Sequence, residues 1–244
     1  ARRVYESDLQ ETVVSRTAEL EVAVARLEDS EGELRRAYSE TISRLSRAIE
    51  SHDGATGAHV ERVGFYTEQI ALALGLDPLR AELLRLVSPL HDIGKIAVSE
   101  RVLKKTGPLD KHERVDMERH AEVGHALLAG SATEMLETAA VIAWTHHERW
   151  DGSGYPCGLV GEEIPLEGRI VAVADVFDAL TSDRPYRPAL SAADARAHLR
   201  AGRGTAFDPQ VVDAFVGDVR RTRRNGSDES VAPRPASASS VTAS

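Results

Sequence analysis

The amino-acid sequence predicts an all-α protein, in which a helical domain follows one long N-terminal helix. Apolar residues recur at intervals of three and four along most of the 244 residues, and the strict alternation that is typical of strands is nearly absent. The glycine-rich stretch 151–161 interrupts the periodic segments, and we expect a small loop or hairpin there.

The long helix is predicted over Gln10–Ile49, which contains no proline and one glycine. Its apolar positions follow a heptad pattern: Val13, Leu20, Val24, Leu27, Leu34, Tyr38, Leu45 and Ile49. Charged residues flank this stripe, so we expect a coiled coil that makes a homodimer. The alternative is a solvated helix that packs on its own domain. Because the chain starts at Ala1 inside the helical pattern, we expect it to be part of a longer protein.

Seven further helices are predicted in the domain, which we place at residues 50–219 after a coiled-coil or linker helix at 1–49. They span Thr56–Leu74, Leu79–Ile93, Leu109–Leu128, Ala132–Trp150, Leu166–Leu180, Ala192–Leu199 and Pro209–Val219. Residues 220–244 are rich in Ser, Ala, Pro and charge and have almost nothing apolar to bury, so we expect a disordered tail.

The composition excludes several classes of function. A formal net charge of −9 argues against a general binder of DNA, which needs a basic surface. No apolar run approaches the roughly 20 residues that a membrane span needs, and no signal peptide precedes the first helix. The one cysteine, Cys157, can form neither an intramolecular disulfide nor a zinc cage. We therefore expect a cytoplasmic protein.

Histidine and aspartate residues interrupt apolar segments at several separate places in the domain. Taken one at a time, each is more simply a hydrogen-bonded core or surface residue. Together they predict a metal centre, because helical bundles build such centres from side chains that converge in the core. The set is His59, His91, Asp92, His120, His146, His147 and Asp175.

The number and type of these side chains predict two metal ions. Six or seven ligands exceed the three or four that one catalytic zinc takes, and a carboxylate such as Asp92 can bridge two ions. Imidazole and carboxylate together favour iron or manganese, with zinc as an alternative, and disfavour calcium. Such a centre also supplies a local positive field that lets an acidic protein hold a phosphodiester.

Three strings of the sequence resemble the HD-GYP family, a branch of the HD phosphohydrolases: HDIGK at 91–95, HHERWDGSGYP at 146–156 and RIVAVADVFDALTSDRPYRPAL at 169–190. The resemblance implies an HD-domain helical bundle that hydrolyses the bacterial messenger cyclic di-GMP to linear pGpG or GMP. The seven residues above stand where that family has its metal ligands, and Lys95 matches a lysine near the scissile phosphate. Arg184 and Arg187 match residues that hold the substrate phosphates, and Asp53 is a further expected substrate contact.

The sequence also departs from the family pattern. Some members have a glutamate four residues before the first ligand histidine and bind a third metal, whereas this chain has Ala55, so we predict a two-metal centre. Cys157 follows Gly154–Pro156 in place of an acidic or amide residue, and Ala121 replaces a proline after His120. By resemblance, we expect the GYP segment to meet a partner protein or to line the substrate entrance, and our hypothesis for the long helix is that it connects to an upstream receiver or sensor domain.

In the mechanism that this predicts, a hydroxide that bridges the metals attacks phosphorus in line, and Lys95 stabilises the developing charge. Alone, Lys95 is equally a lysine that closes a helix. Asp178, three residues after Asp175, could orient a ligand histidine. Two alternatives stay open: a catalytically weak module that binds cyclic di-GMP or a protein, and a hydrolase of another cyclic dinucleotide.

Overall fold

Helices form nearly all regular structure in the part of the chain that the computed structural model describes, which is residues 2–53, 58–183 and 188–225, with side chains over 13–50, 58–183 and 188–217. This confirms the all-α class. The helices are α1 Arg2–Asp53, α2 Ala58–Ala73, α3 Pro78–Val87, α4 Glu100–Leu103, α5 Lys111–Leu128, α6 Glu134–Thr145, α7 Leu166–Thr181, α8 Ala192–Ala201 and α9 Pro209–Asn225, with 3₁₀ turns at Ser88–Leu90, Ile93–Ala97 and Gly161–Glu163.

The core lies between α2, α3, α6 and α7, each of which buries one apolar face. Ile70, Leu84, Ile142 and Ile170 come from these four helices and are fully buried. Full burial of one such side chain contributes about 1.5–3 kcal/mol. α8 and α9 close one end of this core, and α5 lies against α6.

Polar residues fix where several helices start. Asp77 accepts a hydrogen bond from the Leu79 amide (2.9 Å), and Pro78 occupies the first helical position, where no amide proton is needed. Asp110 and Glu113 form a reciprocal capping box at the start of α5. These caps place α3 and α5, and both helices lead towards the predicted site.

Two predicted helices are too long. The segment Leu79–Ile93 is not one helix, because Pro89 lacks the amide proton that would continue the hydrogen-bond ladder, so α3 ends at Val87 and a 3₁₀ turn follows. The segment Ala132–Trp150 is helical only over Glu134–Thr145. The segments that follow these two helices therefore carry four of the predicted ligands, which were expected to lie within the helices: His91, Asp92, His146 and His147. The single-turn helix α4 was not predicted.

The long helix α1 is exposed along most of its described side chains, and its buried side chains lie near its C-terminal end. Val24 and Leu27 of the heptad stripe are exposed, whereas Ile42, Ser46 and Ile49 are buried. The last turns of the helix therefore pack on the domain as the second alternative expects, and the coiled coil stays a prediction. The helix crosses the predicted boundary at 49/50 without a break.

At the other end, α9 runs to Asn225, past residue 220 where the disordered tail is expected to begin, and the tail itself stays a prediction. Val211, Val212 and Phe215 anchor this helix in the core, and arginine residues beyond them have good helix propensity. Residues 226–244 lie outside the described residues. In the described part of the chain, no helix has both the length and the apolar character that a membrane span requires.

Candidate metal centre

All seven predicted ligands come together in the interior, in two adjoining groups. Each group holds its possible ligand atoms within 4.8 Å of one another. The first consists of Asp92, His120, His146 and His147, and the second of His59, His91 and Asp175. These residues come from α2, α5, α7 and the two segments that follow α3 and α6, so the tertiary fold brings them into one place.

The first group surrounds one oxygen of Asp92. Asp92 Oδ1 lies 3.4 Å from His120 Nε2 and 3.8 Å from His146 Nε2, and these two nitrogens are 3.3 Å apart. The ring of His147 lies 4.0 Å from that of His146 and 4.9 Å from that of His120, measured between centroids. Three imidazoles and one carboxylate thus face a common point.

The second group adjoins the other oxygen of Asp92. His91 Nε2 lies 3.2 Å from Asp92 Oδ2, and His59 Nε2 lies 3.5 Å from Asp175 Oδ1. The rings of His59 and His91 meet edge to face at 5.8 Å. Because its two oxygens face different groups, Asp92 is the side chain that links them.

Lys95 lies beside this link. Its Nζ is 2.8 Å from Asp92 Oδ2, and its side chain keeps about a fifth of its surface exposed. The turn that carries both residues sits directly against α5, because a Cβ on Gly94 would lie 1.9 Å from the His120 carbonyl oxygen. Glycine at position 94 therefore allows Asp92 and Lys95 to approach His120.

Hydrogen bonds set the direction in which the imidazoles present their lone pairs. In three of them, Nδ1 lies within hydrogen-bond distance of a backbone carbonyl three or four residues earlier. These pairs are His91 with Ser88 (2.8 Å), His120 with Met117 (2.7 Å) and His146 with Ile142 (3.0 Å). Since a carbonyl only accepts, Nδ1 carries the proton and Nε2 is left as the inward-facing ligand atom.

His59 is oriented in the same way by a carboxylate. Its Nδ1 donates to Asp178 Oδ2 at 2.6 Å, and Asp178 is fully buried. Arg62 also donates to Asp178, at 3.0 Å from its NH2 group, and to the Ser182 hydroxyl at 2.8 Å. Asp178 therefore occupies the orienting position that the sequence suggested, with Arg62 as a partner that was not foreseen.

The charges of the site are strongly coupled. Burial would raise the pKa of Asp92, but the Lys95 ammonium and His91 hold it well below its ordinary value. Burial would lower the pKa of His91, but Asp92 beside it raises the pKa to about 9. Burial and the neighbouring His120 lower the pKa of His147 to about 3, and burial and His147 hold the pKa of His146 well below its ordinary value. The first group is thus a carboxylate among neutral imidazoles.

The GYP segment forms one wall of the first group. Tyr155 stacks on the His147 ring with centroids 4.7 Å apart, and the Tyr155–Pro156 peptide bond is cis. Buried Glu148 fixes this loop by accepting hydrogen bonds from the amides of Cys157 (2.7 Å) and Leu159 (3.1 Å). A single antiparallel bridge between residues 151 and 160 closes the loop, as a small hairpin would.

Several predicted residues lie outside the described residues. Arg184, Arg187 and Ala55 are among them, and of Asp53 only the backbone is described, as the last residue of α1. Three further histidines whose side chains are described lie outside the centre: His112 and His198 are exposed, and His125 packs against the Trp144 ring.

Glu50 is a site residue that the sequence did not reveal. It is buried at the end of α1, its Oε1 lies 3.5 Å from His59 Nε2, and burial raises its pKa to about 6. Its spacing from Ile42 and Ser46 places all three on one face of α1, which is the only signal in the sequence.

The donor set fits divalent metal ions. His91 Nε2 and Asp92 Oδ1 are buried and have no hydrogen-bond partner among the described residues, although each faces other electron-rich atoms. Unsatisfied buried polar atoms are costly, and a cation between them removes the cost. Mixed imidazole and carboxylate ligands suit borderline transition metals.

The fold and the site together define the class of this protein: a helical domain with a histidine and aspartate centre whose donor atoms suit divalent metal ions. The HD domain family model matches residues 43–211. The chain belongs to the HD domain family, and the resemblance to its HD-GYP branch is confirmed.

Curated relatives extend this assignment. The chain is 49% identical over 206 residues to the cyclic di-GMP phosphodiesterase response regulator RpfG of Xanthomonas campestris pv. campestris, covering 84% of this chain and 54% of that protein. It is 42% identical over 184 residues to the 3'3'-cGAMP-specific phosphodiesterase 2 of Vibrio cholerae, covering 75% and 35%. The chain thus spans about a third to about half of the length of these relatives.

A solved structure shares the fold. A cyclic GMP-AMP-specific phosphodiesterase of Vibrio cholerae superimposes with a TM-score of 0.57 at 23% identity, over 76% of this chain and 49% of that chain. At this identity the likeness concerns the fold, and it agrees with the helical bundle described above.

Proposed function

We propose that this chain is a metal-dependent phosphodiesterase that hydrolyses cyclic di-GMP to linear pGpG or GMP. The observation that carries the proposal is the pair of ligand groups joined through the two oxygens of Asp92. The substrate is supported by relatives whose names state cyclic di-GMP phosphodiesterase activity, at 49% and 42% identity.

The two groups would hold two divalent ions, iron or manganese in preference to zinc, with Asp92 shared between them. When bound, such ions lower the pKa of a water molecule and offset the negative charge of the phosphate. The chain's own part is to present the Nε2 atoms of its histidines and the oxygens of Asp92 and Asp175 in fixed directions. Asp178 contributes by holding the His59 ring.

Lys95 is the cation next to this centre that can serve the reaction directly. Its ammonium group, 2.8 Å from Asp92 and partly exposed, would donate to a phosphoryl oxygen that gains charge as the ester bond breaks. Arg184 and Arg187 would hold the substrate phosphates with planar guanidinium groups, and Asp53 would contact the substrate. The two arginine assignments rest on the resemblance of the sequence, and the contact of Asp53 is an expectation from the sequence.

A second candidate substrate is 3'3'-cGAMP. Relatives at 42% and 38% identity are named 3'3'-cGAMP-specific phosphodiesterases. The two dinucleotides differ in one base, whereas the metal centre acts on the phosphodiester, so the ligand geometry serves both. Discrimination between them therefore depends on contacts to the bases.

Turnover with both dinucleotides tests the proposal. Protein loaded with manganese or with ferrous iron is incubated with cyclic di-GMP or 3'3'-cGAMP, and the products are separated by chromatography. Wild type and a His112→Ala control, which removes an exposed imidazole away from the centre, should give linear product, and Asp92→Ala should give none. Binding of cyclic di-GMP without turnover of either substrate would favour the weak signalling module and contradict the enzyme.

We further propose that α1 forms a parallel homodimer that connects the domain to an upstream receiver or sensor domain, and that the GYP loop meets a partner protein. The exposed stripe that includes Val24 and Leu27 supports the dimer, and the response-regulator name of one relative supports an upstream input. Sedimentation of the wild type and of a Leu20→Asp, Leu27→Asp variant tests the dimer. A monomeric wild type would contradict it. The cytoplasmic location stays a prediction.

A further inference from the structure

The helix that carries the heptad stripe also reaches the metal centre. On α1, Ile42, Ser46, Ile49 and Glu50 are buried against the domain, whereas the stripe before them is exposed. The side chain of Glu50 keeps only 8% of its surface exposed. α1 therefore ends with a carboxylate inside the domain, next to the second ligand group.

The carboxylate of Glu50 lacks a complete set of partners. Its Oε2 is buried and forms no hydrogen bond with any described residue, and its Oε1 lies 3.5 Å from His59 Nε2. A buried carboxylate oxygen without a donor or a cation is unfavourable. The position of Glu50 beside His59 thus indicates a missing positive partner.

The hydrogen bond at Nδ1 determines what His59 can offer to Glu50. Since Nδ1 donates to Asp178, Nε2 is the ring atom that faces the second ligand group and can bind a metal. Glu50 Oε1 and Asp175 Oδ1 each lie 3.5 Å from that nitrogen. Two carboxylate oxygens thus approach the same nitrogen, and a cation beside that nitrogen would stabilise both.

The spacing matches ligands of one ion. Two ligand atoms at about 2.1 Å from one metal are between about 3.0 Å and about 4.2 Å apart, for angles between about 90° and about 180° at the metal. Both nitrogen-to-oxygen distances at His59 lie in this range. We propose that Glu50 is an additional carboxylate ligand of the ion held by His59, His91 and Asp175, so that this ion depends on how α1 is seated on the domain.

This inference rests on the metal centre proposed above and deepens it. It assigns a carboxylate to the second group from the end of the long helix, although the sequence has a methyl group at position 55. A displacement of α1 would withdraw a ligand from one ion and leave the first group, with Asp92, His120, His146 and His147, complete.

Manganese binding to the full-length chain tests the proposal without reference to activity. Free Mn²⁺ is followed by its electron paramagnetic resonance signal during titration of wild type, Glu50→Gln, Glu50→Asp and Glu33→Gln. Glu33 is exposed on the same helix, so its variant is a matched control for loss of one carboxylate. Wild type and Glu33→Gln should bind two ions. Glu50→Gln should bind one ion normally and the other at least about tenfold more weakly, with Glu50→Asp between them.

Two further measurements separate a ligand role from a structural one. The absorption spectrum of the Co²⁺-loaded protein should change in Glu50→Gln, because loss of a ligand alters the coordination of one ion, and it should be unchanged in Glu33→Gln. Ile42→Ala, which removes a core contact of α1 and no ligand, should weaken the same ion by a smaller factor.

The outcomes distinguish the two proposals. Two ions bound by Glu50→Gln with wild-type affinity and an unchanged Co²⁺ spectrum would overturn the role of Glu50 and leave the metal centre intact. Absence of metal binding by the wild type would overturn the proposed function itself. Thermal unfolding of the metal-free variants checks the fold. If Glu50→Gln does not fold, Glu50→Asp decides: two ions bound with wild-type affinity and an unchanged Co²⁺ spectrum would overturn the role of Glu50.

Discussion

Gly94 offers a sharp test of how the HDIGK turn is positioned. In Gly94→Ala, the new Cβ would lie 1.9 Å from the His120 carbonyl oxygen and 2.5 Å from the Gly124 amide nitrogen. Real Cβ contacts stay above about 3.0 Å, so the turn and α5 must separate by about 1 Å. Both neighbours are backbone atoms of a helix and cannot move aside by side-chain rotation.

The cost follows from this displacement. Overpacking of this kind destabilises a protein by about 1–3 kcal/mol, which corresponds to a decrease in Tm of roughly 2–12 °C for a domain of this size. The same shift moves Asp92 and Lys95 away from His120. Misplacement of a catalytic group by about 1 Å can reduce the rate about 100-fold.

The assay compares Gly94→Ala with Gly107→Ala, since a Cβ at Gly107 meets nothing within 4 Å. Thermal unfolding of the metal-free proteins and manganese titration are measured for both. Gly94→Ala should melt lower and bind manganese more weakly, while Gly107→Ala should match the wild type. If Gly94→Ala has the Tm and metal affinity of the control, the close approach of the turn to α5 is not as described.

Three further substitutions test the supports of the centre. Asp178→Asn should weaken one of the two ions by about 10–100-fold in a manganese titration, because His59 loses the carboxylate that orients it; an unchanged titration would contradict that role. Tyr155→Ala should lower kcat/KM for the dinucleotide, because it removes the ring stacked on His147, whereas Tyr155→Phe keeps a ring there and should retain metal binding. If kcat/KM falls equally in the two variants, stacking is not the cause. Glu148→Ala should speed hydrogen exchange across residues 151–160, because two loop amides lose their acceptor, and unaltered exchange would count against this anchor.

Much of the ligand set could be predicted from the sequence because several of its residues interrupt or follow apolar segments, where a polar side chain needs a partner, while His59 and His120 lie in more polar segments and depended on the family resemblance. His91 and Asp92 follow LLRLVSPL, and Asp175 lies within an apolar helix. The burial of His91 and the contact between Asp92 and His120 agree with that expectation. The orienting role of Asp178 could also be predicted, because it lies three residues after Asp175 in the same helix.

Other features depend on contacts between distant segments and could not be predicted. Glu50 belongs to the site only because the last turns of α1 dock next to α2, and a helical pattern does not reveal which neighbour a face meets. The pairing of Arg62 with Asp178 joins residues 116 positions apart. Pro89 indicates a break in the segment Leu79–Ile93, whereas the apolar periodicity of the segment predicts one continuous helix.

The direct test of the central claim is anomalous X-ray diffraction from crystals grown with manganese. The account predicts two strong anomalous peaks about 3.5–4 Å apart on either side of Asp92, one among His120, His146 and His147 and the other between His59 and Asp175. Peaks that lie elsewhere, or none at all with these side chains ordered, would contradict it.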